Sequence, residues 1–159
     1  MTGEAEGAYA VWLAARSQVG PEPSATRRSR VAAKLSDPVS TLFTVARDGE
    51  VVGMLLAEPF RADGGTGAPV PEWGHVSMAF VHPGWQRRGV GRELMARLVR
   101  EGDWASLSLW TAEANSAAQA LYAGCGFVPA SDVGELPDGR VIRRWVRTPR
   151  RAGEPAARA

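Results

Sequence analysis

Cysteine is almost absent. Cys125 stands alone, so no internal disulfide can form and no cysteine cluster is available for a structural metal. Lysine is equally scarce: Lys34 is the one lysine among 19 basic residues. With the abundance of Ala, Gly and Pro, that skew reads as a GC-rich coding bias and lowers the information carried by any single arginine. No apolar run approaches the roughly 20 residues needed to cross a bilayer. The first residues, Met1 to Glu6, are acidic and polar, unlike the basic start of a secretory signal. These absences point to no membrane, no metal and a reducing, cytoplasmic setting.

A broad basic face is also missing. The net charge is +2, but Arg147, Arg150, Arg151 and Arg158 against Glu154 give the last stretch +3 and leave the body at −1. A nearly neutral body with a short basic tail excludes the electrostatic footprint of a nucleic-acid binder. The expected organisation is one domain over 1–148, with a basic, disordered tail over 149–159.

What is present is a mixed α/β pattern. Tyr9, Trp12, Leu13 and Val19 predict a helix over about 6–18, ended by Gly20-Pro21. Ser24 is placed to cap a second helix carrying Val31 and Leu35. Strands are expected at 41–47 and 51–57, joined by the hairpin signal Asp48-Gly49. A loop rich in Gly, Pro and Asp should cover 61–71, followed by a strand over 75–81. Val90, Leu94 and Leu98 mark a helix over 90–100. A strand at 107–110, a helix at 115–123, and strands at 127–128 and 140–146 complete the order, the last two joined through Pro137-Asp138-Gly139.

The junction between the strand ending at Val81 and the helix opening at Gly89 carries the chemistry. A helix N-terminus presents unpaired N–H groups and partial positive charge, which suits an anion. Gly89 and Gly91 leave that approach open, and Arg87, Arg88 and Arg92 surround it. The segment lacks the Gly-Lys-Ser/Thr ending of a P-loop and the three glycines of a Rossmann site. On Gly-x-Gly alone, a merely tight turn is the better reading.

Two motifs change that balance. Gln86-Arg87-Arg88-Gly89-Val90-Gly91, after a strand and Val81-x-Pro83, resembles the Gln/Arg-x-x-Gly-x-Gly/Ala motif of the GNAT (GCN5-related N-acetyltransferase) family. Leu109-Trp110-Thr111 and Asn115-x-x-Ala118-x-x-Leu121-Tyr122-x-x-x-Gly126-Phe127 resemble that family's next strand and helix. The resemblance implies an α/β (α+β) acyl-CoA N-acyltransferase fold with a central, mixed, mostly antiparallel, splayed sheet flanked by helices. It implies acetyl-CoA as cosubstrate, with pantetheine along Ala79, Phe80 and Val81. The pyrophosphate would rest on Gln86, Arg87, Arg88, Gly89, Val90, Gly91 and Arg92, and Asn115, Ala118 and Tyr122 would line the cofactor.

Acetyl transfer to an amine needs a base for the ammonium, a polarised carbonyl and an acid for the departing thiolate. The resemblance makes Tyr122 the acid, and Phe80's N–H is the candidate for polarising the carbonyl. His75, whose imidazole titrates near pH ~6.5, and Glu72 compete for the role of base, directly or through water. A strand-end histidine is also commonly structural, and His82, before Pro83, is the weaker candidate. Cys125 has no partner motif and reads as a small buried residue. Trp12 and Trp73 are candidates for an acceptor pocket.

The implied reaction is direct attack in a ternary complex on acetyl-CoA by a primary amine of a small molecule, peptide or protein. The alternatives are an acyl-CoA-binding sensor of the same fold and an antibiotic-modifying or toxin version of the enzyme. The family's usual first strand is short or missing here, and the uncovered sheet edge would favour a homodimer.

Overall fold

The structure, a computed structural model, describes residues 1–149. The tail expected at 149–159 therefore lies, but for Pro149, outside the described residues. The chain forms two compact units: Met1–Glu58 with Ser77–Gly102, and Pro59–Val76 with the described chain from Asp103 onward. The described residues form six strands and four α-helices, with strand order β1-β2-β3-β4-β6-β5 in a mixed, mostly antiparallel sheet.

In the first unit, α1 (Gly3–Val19) is the first element, opened by Thr2, whose hydroxyl accepts from the Ala5 N–H. Ala5, Ala8, Val11, Trp12 and Ala15 line one side and are buried. They pack with Val31 and Leu35 of α2 (Ala25–Leu35) and with Met54 and Leu56 of β2 (Glu50–Arg61). Trp12, 1% exposed, belongs to this core and not to an acceptor pocket. Burying such an aromatic contributes roughly 1.5–3 kcal/mol or more. Ser24 caps α2 by accepting from the Arg27 N–H. Between β1 (Thr41–Arg47) and β2, Asp48 and Gly49 take φ of 51° and 81°, the left-handed pair of a tight antiparallel hairpin.

The same unit seats α3 (Val90–Glu101), whose Val90, Leu94, Met95 and Leu98 are buried. A side chain added at Gly53 would stand 2.4 Å from Val90 Cγ1 and 3.1 Å from Leu94 Cδ1. Glycine on β2 is thus the space that Val90 fills. Arg97 fastens the far end, its guanidinium 5.7 Å from the Phe43 ring and donating to the Thr44 carbonyl at 2.6 Å.

In the second unit, β3 (Pro69–Val81) pairs in parallel with β4 (Ser106–Ala112), Trp73–Val76 against Ser106–Leu109. β4 pairs antiparallel with β6 (Val141–Arg147), and β6 with β5 (Val128–Glu135). Gly74 lies under the Trp104 indole, where a Cβ would meet ring atoms at 2.4–2.8 Å. α4 (Ser116–Gly124) buries no residue fully.

Several boundaries differ from expectation. β2 runs on to Arg61, and β3 begins at Pro69, not His75, so the expected loop shrinks to a short connection holding a turn at Asp63–Gly65. Pro69 and Pro71 disguise that start, and Glu72 has φ of 62°, a local irregularity in the strand. β5 is eight residues long where two were expected. It is an edge strand, mostly exposed, with a register irregularity between Pro129 and Val133, so it carries no alternating apolar signal. Of the six tryptophans, only Trp12 and Trp145 are buried, and Trp110 is 40% exposed.

Gly53→Ala should destabilise the fold by about 1–3 kcal/mol, because the β-branched Val90 has little rotamer freedom in a helix. Chemical denaturation measures it, and an unchanged midpoint would show that α3 does not depend on this close approach.

Candidate functional site

The first unit holds the strand–turn–helix. The His82 N–H donates to the Val52 carbonyl at 2.8 Å, ending β3 against β2. His82 Nδ1 then accepts from the Gly84 N–H at 3.1 Å, and Pro83–Trp85 form one tight turn. Exposed and so engaged, His82 serves the loop. Gln86 is extended, with its amide within 3.4 Å of the Val81 carbonyl and 3.3 Å of the Gln18 side chain.

Arg87 and Gly89 have φ of 61° and 81°, left-handed on both sides of Arg88. Gly89 is the N-cap of α3, and no side chain caps the helix. The first helical bond runs from the Glu93 N–H to the Gly89 carbonyl at 3.0 Å. The amides of Val90, Gly91 and Arg92 precede it and so lack an intrahelical acceptor. Nothing lies within 4 Å of where a Gly89 side chain would stand, so glycine is needed there for its φ and leaves open space. The one first-turn carboxylate, Glu93, is paired with Arg47 at 2.5 Å. Arg87, Arg88 and Arg92 are exposed and form no ion pair among the described residues, while the Arg88 guanidinium stacks 5.1 Å from the Trp85 ring centroid. Three cations with no ion pair among the described residues, beside uncapped amides, have the charge to receive an anion.

The second unit holds the remaining candidates. His75 on β3 sits opposite Ser108 on β4, with Nδ1 2.8 Å from the buried Ser108 Oγ. Its ring lies 6.3 Å from that of Phe60, and Trp73 lies 5.9 Å from Phe60. Glu72 is exposed. Asn115 is the N-cap of α4, its Oδ1 accepting from the Ala118 N–H at 3.1 Å. That local duty was not foreseen, and it commits one face of the amide. Ala118 and Tyr122 are half-buried on the helix that follows. The Tyr122 ring lies 6.1 Å from Phe127, and burial, then the nearby Cys125, push its phenol above the ordinary 10.0. Cys125 itself is half-buried, not fully buried as its type suggested.

The expected residues thus fall into two groups. Ala79, Phe80, Val81 and Gln86 to Arg92 lie in the first unit, whereas Glu72, His75, Asn115, Ala118 and Tyr122 lie in the second. Ser108 was missed. The signal was available in Leu107-Ser108-Leu109, a polar residue inside an apolar strand, but its partner is 33 residues away in sequence. Among the described residues no cluster of His, Cys, Asp and Glu could hold a metal, and no helix is long and apolar enough to cross a membrane.

A mixed α/β chain with a strand leading into a glycine-capped, arginine-flanked helix is the arrangement that the motif resemblance implied. The model of the acetyltransferase (GNAT) family matches residues 7–127, and the chain belongs to that family. By fold it is similar to the ribosomal-protein-S18-alanine N-acetyltransferase of Escherichia coli, with a TM-score of 0.70, 22% identity, and coverage of 97% of this chain and 93% of that one. The ribosomal-protein-alanine N-acetyltransferase of Brucella melitensis gives a TM-score of 0.71 at 18% identity, over 93% and 96% of the two chains. A putative streptothricin acetyltransferase from Bacillus anthracis, solved with acetyl coenzyme A, gives 0.57 at 19% identity, over 72% and 65%. No curated relative matches by sequence.

The raised phenol sets a sign. The folded state holds the Tyr122 proton more tightly, so its contribution is complete below pH 10 and is lost as pH climbs from the ordinary value through the raised one. Tyr122→Phe should therefore flatten the alkaline fall in stability, measured as thermal midpoint against pH. An identical fall in both proteins would mean that another group controls it.

Proposed function

We propose that the protein transfers an acetyl group from acetyl-CoA to a primary amine by direct attack in a ternary complex. The observation that carries this reading is the uncapped start of α3, with left-handed Gly89 and with Arg87, Arg88 and Arg92 free of ion pairs among the described residues. A diphosphate supplies the paired oxyanions that such a turn accepts. Gln86, Val90 and Gly91 complete the turn, and the family resemblance lays pantetheine along the backbone of Ala79, Phe80 and Val81.

The chemistry assigns each remaining group one task. The neutral amine nitrogen attacks the thioester carbonyl carbon, whose oxygen takes up negative charge and is met by the Phe80 N–H. The C–S bond then breaks, and the sulfur takes the proton of Tyr122. The phenol holds its proton at neutral pH, as an acid must, and burial, by raising its pKa, makes it a weaker donor than a free tyrosine. The proton lost by the amine goes to His75 or Glu72, directly or through water. The Ser108 contact gives His75 a fixed ring orientation, and exposed Glu72 is suited to a water-relayed role. Asn115 and Ala118, at the start of α4, are assigned to the cofactor arm on the resemblance. The acceptor is a small molecule or a peptide or protein amine, and a reducing cytoplasm suits a chain with one cysteine.

Thiol release measured with DTNB across a panel of amines tests the reaction, with calorimetry for coenzyme A beside it. Tight coenzyme A binding with no acceptor acetylated would favour a sensor. Tyr122→Phe should lower kcat by about 100-fold with coenzyme A affinity unchanged; undiminished kcat would remove Tyr122 from the acid role. Gly89→Val should weaken coenzyme A binding by about tenfold or more, since a β-branched residue at positive φ is strained.

A further inference from the structure

A cleft of about 400 Å³ lies along α2, and its lining includes Arg27, Arg30 and Lys34 but no acidic residue. The spacing of Arg27, Arg30, Val31 and Lys34 sets all four on one helix face. That spacing ordinarily carries an apolar stripe. Here Val31 alone is apolar and buried, and the other three are exposed cations.

Their compensation is uneven. Lys34 is paired with Glu58 at 2.9 Å. Arg27 and Arg30 enter none of the ion pairs among the described residues, although Arg28 between them is paired with Glu22. The first turn of α2 holds no carboxylate, so the positive end of the helix adds to the same field. Ser24 and Ser77 also border the cleft, their hydroxyls engaged by the Arg27 N–H and the Leu56 carbonyl.

The cleft's position gives this charge a use. Its far wall is Ser77 and Met78, which directly precede Ala79, Phe80 and Val81 on β3. At about 3.3 Å per residue, an acceptor in the cleft is within one or two residues of the backbone assigned to pantetheine.

We infer that the amine acceptor is a small molecule carrying a carboxylate or phosphate, and that Arg27 and Arg30 bind that oxyanion while the amine reaches the thioester. The inference rests on the acetyltransfer reading above. Arginine suits the task because its planar fork meets a carboxylate or phosphate through two parallel hydrogen bonds. The cavity volume fits a small acceptor.

The test compares matched amines: phosphoethanolamine with ethanolamine, and β-alanine with β-alaninamide, in the wild type and in R27Q/R30Q. The anionic member of at least one pair should be acetylated with a kcat/KM at least about tenfold above its neutral partner. The double variant should raise KM for that anionic acceptor by about tenfold or more, with kcat and the neutral partner's constants nearly unchanged. Preference for phosphoethanolamine alone would identify phosphate as the source, and for β-alanine alone carboxylate. Both arginines are exposed, and circular dichroism checks that the variant folds. Raised salt offers a second readout in the unmodified protein, since it should raise KM for the anionic acceptor only.

Acetylation of the neutral amines in preference to the anionic ones would overturn the anionic-acceptor inference alone, as would acetylation confined to acidic peptides. Weaker coenzyme A binding by R27Q/R30Q would assign the cleft to the coenzyme's own phosphates and overturn it too. Turnover of no amine whatever would overturn the acetyltransfer reading, and this inference with it.

Discussion

The close seating of α3 on β2 is the contact from which the account follows. Gly53 gives up its side chain, Val90 Cγ1 takes the space, and Leu94, Met95 and Leu98 continue the burial. Val90 is also the first residue of the helix, so the packing that holds the helix holds its N-terminal amides as well. Gly89, at φ of 81°, makes the turn into that position without a side chain over the amides. An anion arriving there would meet donors already fixed in place, with little ordering cost left to offset binding.

This arrangement explains why so much of the first unit could be read in advance. The hairpin at Asp48-Gly49, the Ser24 cap and the Val90, Leu94, Leu98 face are each decided by a few neighbouring residues. The structure reproduces them within a residue or so. Elements whose residues satisfy no local rule were less legible. β5 is an exposed edge strand interrupted near Pro129, and its existence depends on pairing with β6, not on its own pattern. The start of β3 is masked by Pro69 and Pro71 for the same reason.

The candidate residues divide along a similar line. The turn from Gln86 to Arg92 is contiguous in sequence, so its glycines and arginines were visible together. His75 and Ser108 meet only across a parallel strand pair, and no spacing rule reports such a contact. Trp12 illustrates the converse: its type suggested a pocket, but its place in the α1 stripe, between Val11 and Ala15, puts it in the core. Asn115 joins a local task, capping α4, to the role that the family resemblance assigns it. The three solved structures named above are 18–22% identical and so speak for the fold; the side chains here must speak for the chemistry.

Amide-resolved NMR tests the central claim most directly, by following each backbone N–H as coenzyme A, or pantetheine lacking the phosphates, is added. The account predicts that the amides of Val90, Gly91 and Arg92 shift on adding coenzyme A and stay in place with pantetheine. If coenzyme A binds while those amides remain unmoved, the start of α3 is not where the diphosphate is held, and the account is contradicted.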